Sequence, residues 1–183
     1  TARTAVEYAI EKAKQNELCR VSIKNNHHIG RLGTWAEIAA HAGCIAWIST
    51  GGGGGNRGVG ARGGGTLPYG GAVGKLGTNP IAVGVPTGDD TPFVLDYATT
   101  MIAGGKTAFA ESKDADLPEG CIVDKDGNPS VKVSDLSDGG NMLGFGLHKG
   151  YALSLFTCLL GGLSGNFDTE NGTMGGAFMQ VID

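Results

Sequence analysis

Nothing in this sequence marks a polyanion-binding protein. Its 14 basic residues are outnumbered by 18 acidic ones, for a formal charge of −4. No Lys/Arg run or stripe occurs, so nucleic acid and anionic membrane surfaces are not indicated as partners. Cysteine is sparse. Cys19, Cys44, Cys121 and Cys158 are widely spaced and form no CxxC pair, which argues against a disulfide framework or a zinc knuckle. Cys44 and Cys158 lie in apolar runs and are expected to be buried free thiols of a reducing compartment. The four histidines fall into no HxxxH or HExxH spacing, so no metal site is expected. The longest apolar stretch, 151–163, is too short and too glycine-rich to span a bilayer. No secretory signal pattern is visible, and the expected location is cytoplasmic.

What the sequence does have is glycine, at 34 of 183 residues against a usual share of about 7%. Glycine tolerates positive φ and lets backbone approach a ligand, at an entropic cost. Many of these glycines lie in one tract, 51–65, which is expected to be mobile in the absence of a ligand. The length suits one ordinary domain.

Val6, Ala9, Ile10 and Ala13 form a helical stripe over 1–16. The pattern starts abruptly, as though a preceding part were missing. A strand over 20–24 and a polar turn, Asn25-Asn26-His27-His28-Ile29-Gly30, lead to a helix over 33–42. That helix is expected to bury Trp35, Ile38, Ala39 and Ala42, and a buried strand over 45–49 follows it. This alternation is that of α/β folds. A long irregular connection then runs to Pro80, and loops of that length are usually functional or disordered. Strands are expected at 81–85 and 93–97, and a helix at 100–113. A polar stretch over 114–142 turns at Asp126-Gly127-Asn128-Pro129. The most apolar helix, 149–163, and a strand at 177–182 complete the reading.

Two phosphate-binding patterns fail on context. Gly58-Val59-Gly60-Ala61-Arg62-Gly63 matches GxGxxG, but no strand leads into it and no helix follows. Gly104-Gly105-Lys106-Thr107 resembles the end of a P-loop whose first glycine would be position 100, a threonine. Other segments hold more promise. His27-His28 lies on a turn after a strand, where histidine suits proton transfer near neutral pH, although a plain surface turn reads equally well. Gly144-Phe145-Gly146-Leu147-His148-Lys149-Gly150-Tyr151 opens the apolar helix. A helix start favours phosphate or carboxylate, and Lys149 adds a charge; the alternative is a solvated lysine. Asp96-Tyr97-Ala98-Thr99-Thr100 ends a strand, where ligands of α/β sheets gather, but Asp96 or a threonine could equally cap a helix.

Taken together, the segments resemble the malate/L-lactate dehydrogenase family, which is unrelated to the Rossmann-type lactate dehydrogenases. The stretches that carry this are His27-His28-Ile29-Gly30-Arg31-Leu32-Gly33-Thr34-Trp35-Ala36-Glu37, Pro68-Tyr69-Gly70-Gly71, Leu76-Gly77-Thr78-Asn79-Pro80, Phe93-Val94-Leu95-Asp96-Tyr97-Ala98-Thr99-Thr100, Leu117-Pro118-Glu119-Gly120, Asp126-Gly127-Asn128-Pro129 and His148-Lys149-Gly150-Tyr151-Ala152-Leu153. They run in the family's order along most of the chain, and the hydroxycarboxylate dehydrogenases are the nearest branch.

The resemblance implies a non-Rossmann α/β fold, with a mixed sheet flanked by helices, in a homodimer. It implies hydride transfer between NAD or NADP and a 2-oxo/2-hydroxy acid pair, or in some relatives a cyclic 2-imino acid. The family's histidine falls on His28, and its cofactor contacts fall on Thr50, on Asp96, Tyr97 and Ala98, and on the helix start at His148 and Lys149. A later contact near 172–174 matches poorly and is not carried over. Two departures stand out. The family's segment at 51–65 is shorter and more varied, and its members are roughly twice this long, beyond one ordinary domain. An N-terminal His-Ser-His-Gly-like motif, a carboxylate-binding arginine and C-terminal helices belong to parts this sequence does not contain. Residues 1–183 are therefore expected to be the central cofactor-binding and catalytic portion of a larger subunit. The competing reading is a stable fragment that cannot turn over.

Overall fold

The computed structural model describes residues 1–24, 26, 28–52, 65–162 and 176–183. The GxGxxG match, the interior of the glycine tract, His27 and the 172–174 segment lie outside the described residues.

The chain opens with α1 (Ala2–Asn16), which buries Val6, Ala9 and Ala13 completely and packs Ile10 against the same core. Glu17, at φ 67, ends it in the left-handed conformation and turns the chain into β1 (Leu18–Ile23). Next come α2 (Leu32–His41), β2 (Ile45–Gly51), β3 (Ile81–Val85) and β4 (Phe93–Tyr97). They are followed by α3 (Gly104–Ser112), β5 (Ile122–Val123), β6 (Pro129–Ser130), α4 (Ser134–Ser137) and β7 (Asn141–Met142). The last elements are α5 (His148–Gly162) and β8 (Gly176–Ile182).

The main sheet has the order β1-β8-β2-β3-β4, and every pair in it is antiparallel. This is a helix-flanked α/β architecture of the expected non-Rossmann kind. Parallel pairing among the described residues is limited to an isolated bridge, Thr66 to Met142. Side chains alternate across a strand, so Ala46, Ile48, Ala82, Met179 and Val181 face α1 and α2 and form the main core. Trp47 faces α5, where its ring meets Phe156 edge-on at 5.6 Å.

The buried face of α2 agrees with the expected one in part. It buries Leu32, Gly33, Ala36, Ala39 and Ala40; of the other expected residues, Trp35 and Ile38 pack against the same core half-buried, and Ala42 is half-buried. Small residues face the sheet because the backbones come close: a Cβ on Gly84 would stand 2.2 Å from the Ala36 carbonyl oxygen. Trp35 sits on the flank, where its indole N–H donates to the Ile29 carbonyl at 2.9 Å. The 114–142 stretch, read from the sequence only as polar with a turn at Asp126-Gly127-Asn128-Pro129, forms a second sheet of order β6-β5-β7. Its core joins Ile102, Ala110, Leu117, Cys121, Ile122 and Leu136.

Register places the loops at the strand ends. Ile23 pairs with Ala177, Ala177 with Thr50, Ser49 with Ile81, and Ile81 with Tyr97. The exits of β1, β2 and β4 and the entry to β3 therefore lie at one end of the sheet. The start of α5 joins them there: Thr100 bridges Gly144, and the Phe145 N–H donates to the Thr99 carbonyl at 3.1 Å.

Candidate active site

The turn after β1 carries His28 exposed to solvent. Its Nδ1 accepts the Gly30 N–H at 3.1 Å, so in the neutral ring the hydrogen sits on Nε2. Gly30 has φ +83, which a residue with a side chain would adopt only under strain. The Trp35–Ile29 bond fastens the same turn to α2.

Asp96 lies on the same side of the sheet, since its partner in register is Ala82 of the main core. Its side chain is 22% exposed, and Oδ2 accepts the Gly33 N–H at 2.8 Å with Arg31 Nε at 3.6 Å. The capping alternative for Asp96 is thus the observed contact, with α2, sixty-three positions earlier in the chain, rather than with the next helix. Thr50 faces this side too, half-buried, with its N–H donating to the Pro80 carbonyl at 3.2 Å.

Tyr97, the next residue on β4, faces the other way and meets Phe145 edge-on at 5.5 Å. Ala98 is half-buried between Tyr97 and the fully buried Thr99. Exposed His148 and Lys149 open α5, and the His148 ring meets Tyr69 edge-on at 5.7 Å. Gly150 presses the helix start onto the strand end, since a Cβ there would lie 2.3 Å from the Phe145 oxygen and 2.8 Å from the Thr99 oxygen. The amides of Lys149, Gly150 and Tyr151 already donate to Gly146, Phe145 and Leu147 carbonyls. Lys149 and the helix dipole, more than a fan of free amides, are what this start offers an anion.

The expected site residues therefore gather at one sheet end in two groups. His28, Thr50 and Asp96 lie on the α2 side, and Tyr97, His148 and Lys149 on the α5 side. No hydrogen bond or ion pair among the described residues joins the two groups directly. Sequence reasoning missed the polar core that fixes them. Buried Asn79, at φ 35, donates through Nδ2 to the Ser154 carbonyl (3.2 Å) and Oγ (3.0 Å) and accepts the Gly52 N–H at 3.1 Å. Thr157 Oγ donates to the Ser154 carbonyl at 2.9 Å and also reaches the Asn79 carbonyl at 3.3 Å. One asparagine thus locks α5, the entry to β3 and the start of the glycine tract together. The P-loop-like Gly104-Gly105-Lys106-Thr107 forms the first turn of α3, with Lys106 exposed.

All four cysteines are free, and Cys44, Cys121 and Cys158 are buried. Burial pushes all three thiols up, with Asp183 adding to the effect on Cys44, so none is an activated nucleophile. Among the described residues no three His, Cys, Asp or Glu side chains gather as metal ligands, and no helix is long and apolar enough to cross a membrane.

An antiparallel sheet flanked by helices, with an exposed histidine and a lysine-bearing helix start at one end, is a non-Rossmann α/β architecture. The family it belongs to is the malate/L-lactate dehydrogenases, whose profile matches residues 1–183. Hydroxycarboxylate dehydrogenase B of Escherichia coli K12 is 39% identical over 178 residues, 94% of this chain and 46% of that protein. The Δ1-piperideine-2-carboxylate reductase structure from Pseudomonas syringae pv. tomato superposes with a TM-score of 0.82 at 33% identity, covering 98% of this chain and 55% of that one. Malate dehydrogenase of Pyrococcus horikoshii OT3 gives 0.74 at 34% identity, covering 100% and 50%. The chain spans about half the length of the curated relatives it matches.

Proposed function

We propose that this chain is the cofactor-binding and catalytic portion of a cytoplasmic NAD- or NADP-dependent dehydrogenase, working as a homodimer, that interconverts 2-oxo and 2-hydroxy acids. The observation behind this is the convergence of the His28 turn, the exits of β2 and β4 and the α5 start at one sheet end. The groups present suit a dinucleotide. Lys149 supplies positive charge for a pyrophosphate, and the Tyr97–Phe145 and Tyr69–His148 pairs offer flat apolar surface for its rings. Thr50, Ala98 and His148 complete the cofactor's surroundings. Asp96 borders these groups, but its Oδ2 is spent on α2.

When bound, the nicotinamide gives or takes the hydride at the substrate's C2. His28 handles the proton. In the tautomer that the Gly30 bond favours, its Nε2–H donates to the 2-oxo oxygen and polarises the carbonyl. Delivery of a proton requires the charged ring, which bears hydrogen on both nitrogens and so releases the Gly30 N–H. In the oxidation direction Nε2 takes the hydroxyl proton when the neutral ring is in its other tautomer, the one with hydrogen on Nδ1, which likewise releases the Gly30 N–H.

The test is a panel of 2-oxo acids with NADH and NADPH on the full-length protein, following loss of the reduced nicotinamide's absorbance. Turnover of at least one acid is expected. Cofactor binding without any turnover would leave the structural-fragment reading. The Pseudomonas reductase likeness supports a second reading, reduction of cyclic 2-imino acids, so one such imine belongs in the panel.

A further inference from the structure

We infer that Asp96 is a positioning residue, whose carboxylate ties the turn bearing His28 to the strand end that carries the cofactor contacts. This rests on the roles proposed above for His28 and for 97–100. Helix α2 has no side-chain cap of its own at Arg31. The acceptor for its first turn comes from β4, as Asp96 Oδ2 takes the Gly33 N–H at 2.8 Å. The same oxygen lies 3.6 Å from Arg31 Nε, while Arg31 Nη1 reaches Glu37 Oε2 at 3.1 Å. A carboxylate at a helix start is favoured by the dipole as well as by the hydrogen bond.

Gly33 is what lets the carboxylate in. A Cβ there would stand 2.7 Å from Asp96 Oδ2 and 2.9 Å from Arg31 Nη2. Strand pairing cannot do the same work, because β1 and β4 are the two opposite edges of the sheet. Two other polar bonds of the turn, Gly30 to His28 and Trp35 to Ile29, are local. Asp96 reaches it from a distant part of the chain, and it directly precedes Tyr97, Ala98, Thr99 and Thr100. The carboxylate therefore sets the spacing between the proton-transferring turn and the cofactor side of the site.

The experiment uses the full-length protein and the variants Asp96→Ala, Asp96→Asn and Gly33→Ala. It measures kcat at saturating cofactor, cofactor affinity by fluorescence titration, and the His28 ring-proton NMR signal, assigned by its loss in His28→Ala. Asp96→Ala should lower kcat about 10- to 100-fold, the scale of a misplacement near 1 Å, and leave cofactor affinity within about threefold. Asp96→Asn keeps an acceptor for Gly33 and should recover most of the loss. Gly33→Ala, which touches no cofactor group, should reproduce the Asp96→Ala defect, and the double variant should be no worse than either single one. Both Asp96→Ala and Gly33→Ala should shift the His28 signal. Weakened cofactor binding with unchanged saturated kcat would make Asp96 a cofactor ligand and overturn the inference. An unmoved His28 signal would overturn it as well. Should Asp96→Ala fail to fold, Asp96→Asn and Gly33→Ala decide by the same measurements. If His28→Ala keeps normal kcat, the proton-transfer reading falls, while the NMR shift still judges the tie by itself.

Discussion

His28 and Lys149 make separable predictions, because one moves a proton and the other holds charge. General acid–base catalysis contributes about 10²–10⁴-fold, or roughly 3–5 kcal/mol of barrier. His28→Ala should cut kcat by that factor and leave cofactor affinity nearly intact. His27→Ala, at the position sequence alone could not exclude, should cost far less. Normal kcat in His28→Ala with none in His27→Ala would move the role by one residue; activity in both would place the acid outside this turn. For Lys149→Ala, calorimetry should show cofactor binding weaker by about 1.5–3 kcal/mol, the usual worth of a hydrogen bond to a charged group. Unchanged affinity would make it a surface lysine, as its exposure also permits. At this scale the sequence made the candidate site legible as local patterns, a histidine on a turn and a lysine at a helix start, whose roles rest on the family resemblance. It could not carry the contact that holds Asp96, because Gly33 and Asp96 meet only through the packing of α2 against the β4 edge.

Secondary-structure elements were legible where their period was long enough to read. The spans of β3 and β4 coincide with the expected 81–85 and 93–97, short apolar runs separated by a turn rich in Pro, Gly and Asp. Two-residue strands have no period, so β5, β6 and β7 left no trace in a polar stretch. The burial face of α5 could not be read either, because its apolar residues are spread around the helix rather than along one stripe. It buries Ser154, Thr157 and Cys158 and exposes Leu155, Phe156 and Leu159. Close backbone packing explains the choice: a Cβ on Gly51 would lie 2.0 Å from the Thr157 oxygen, so only small side chains fit between helix and sheet. Gly150 makes the same demand at the other end. Gly150→Ala would force backbone apart at Phe145 and Thr99, and overpacking of this kind costs typically 1–3 kcal/mol, about the loss expected here. Denaturant unfolding should show it as a lower midpoint with unchanged slope. A midpoint equal to the parent's would mean that the α5 start is held less tightly than its contacts imply.

The outward face of α5 bears on the whole molecule. Leu155, Phe156 and Leu159 are 40%, 42% and 57% exposed, and Leu147 just before the helix is 65% exposed. An apolar patch on one face of a long helix usually marks an interface. In the homodimer proposed above, a two-fold axis would bring the same patch from each subunit together, so one substitution acts twice. Fully burying a leucine is worth roughly 1.5–3 kcal/mol, and a carboxylate in its place adds a desolvation cost. Leu159→Glu in the full-length protein should therefore weaken association at least about tenfold, the equivalent of 1.4 kcal/mol. Sedimentation equilibrium should find twice the subunit mass for the parent protein at micromolar concentration and a shift towards the subunit mass for the variant. Three results are distinguishable. A parent protein that sediments as a monomer sinks the dimer outright. A variant that remains dimeric but melts at lower temperature shows that α5 is covered within its own subunit, as the longer relatives allow. A variant that remains dimeric with unchanged melting leaves the patch facing water, and the dimer must then use another face.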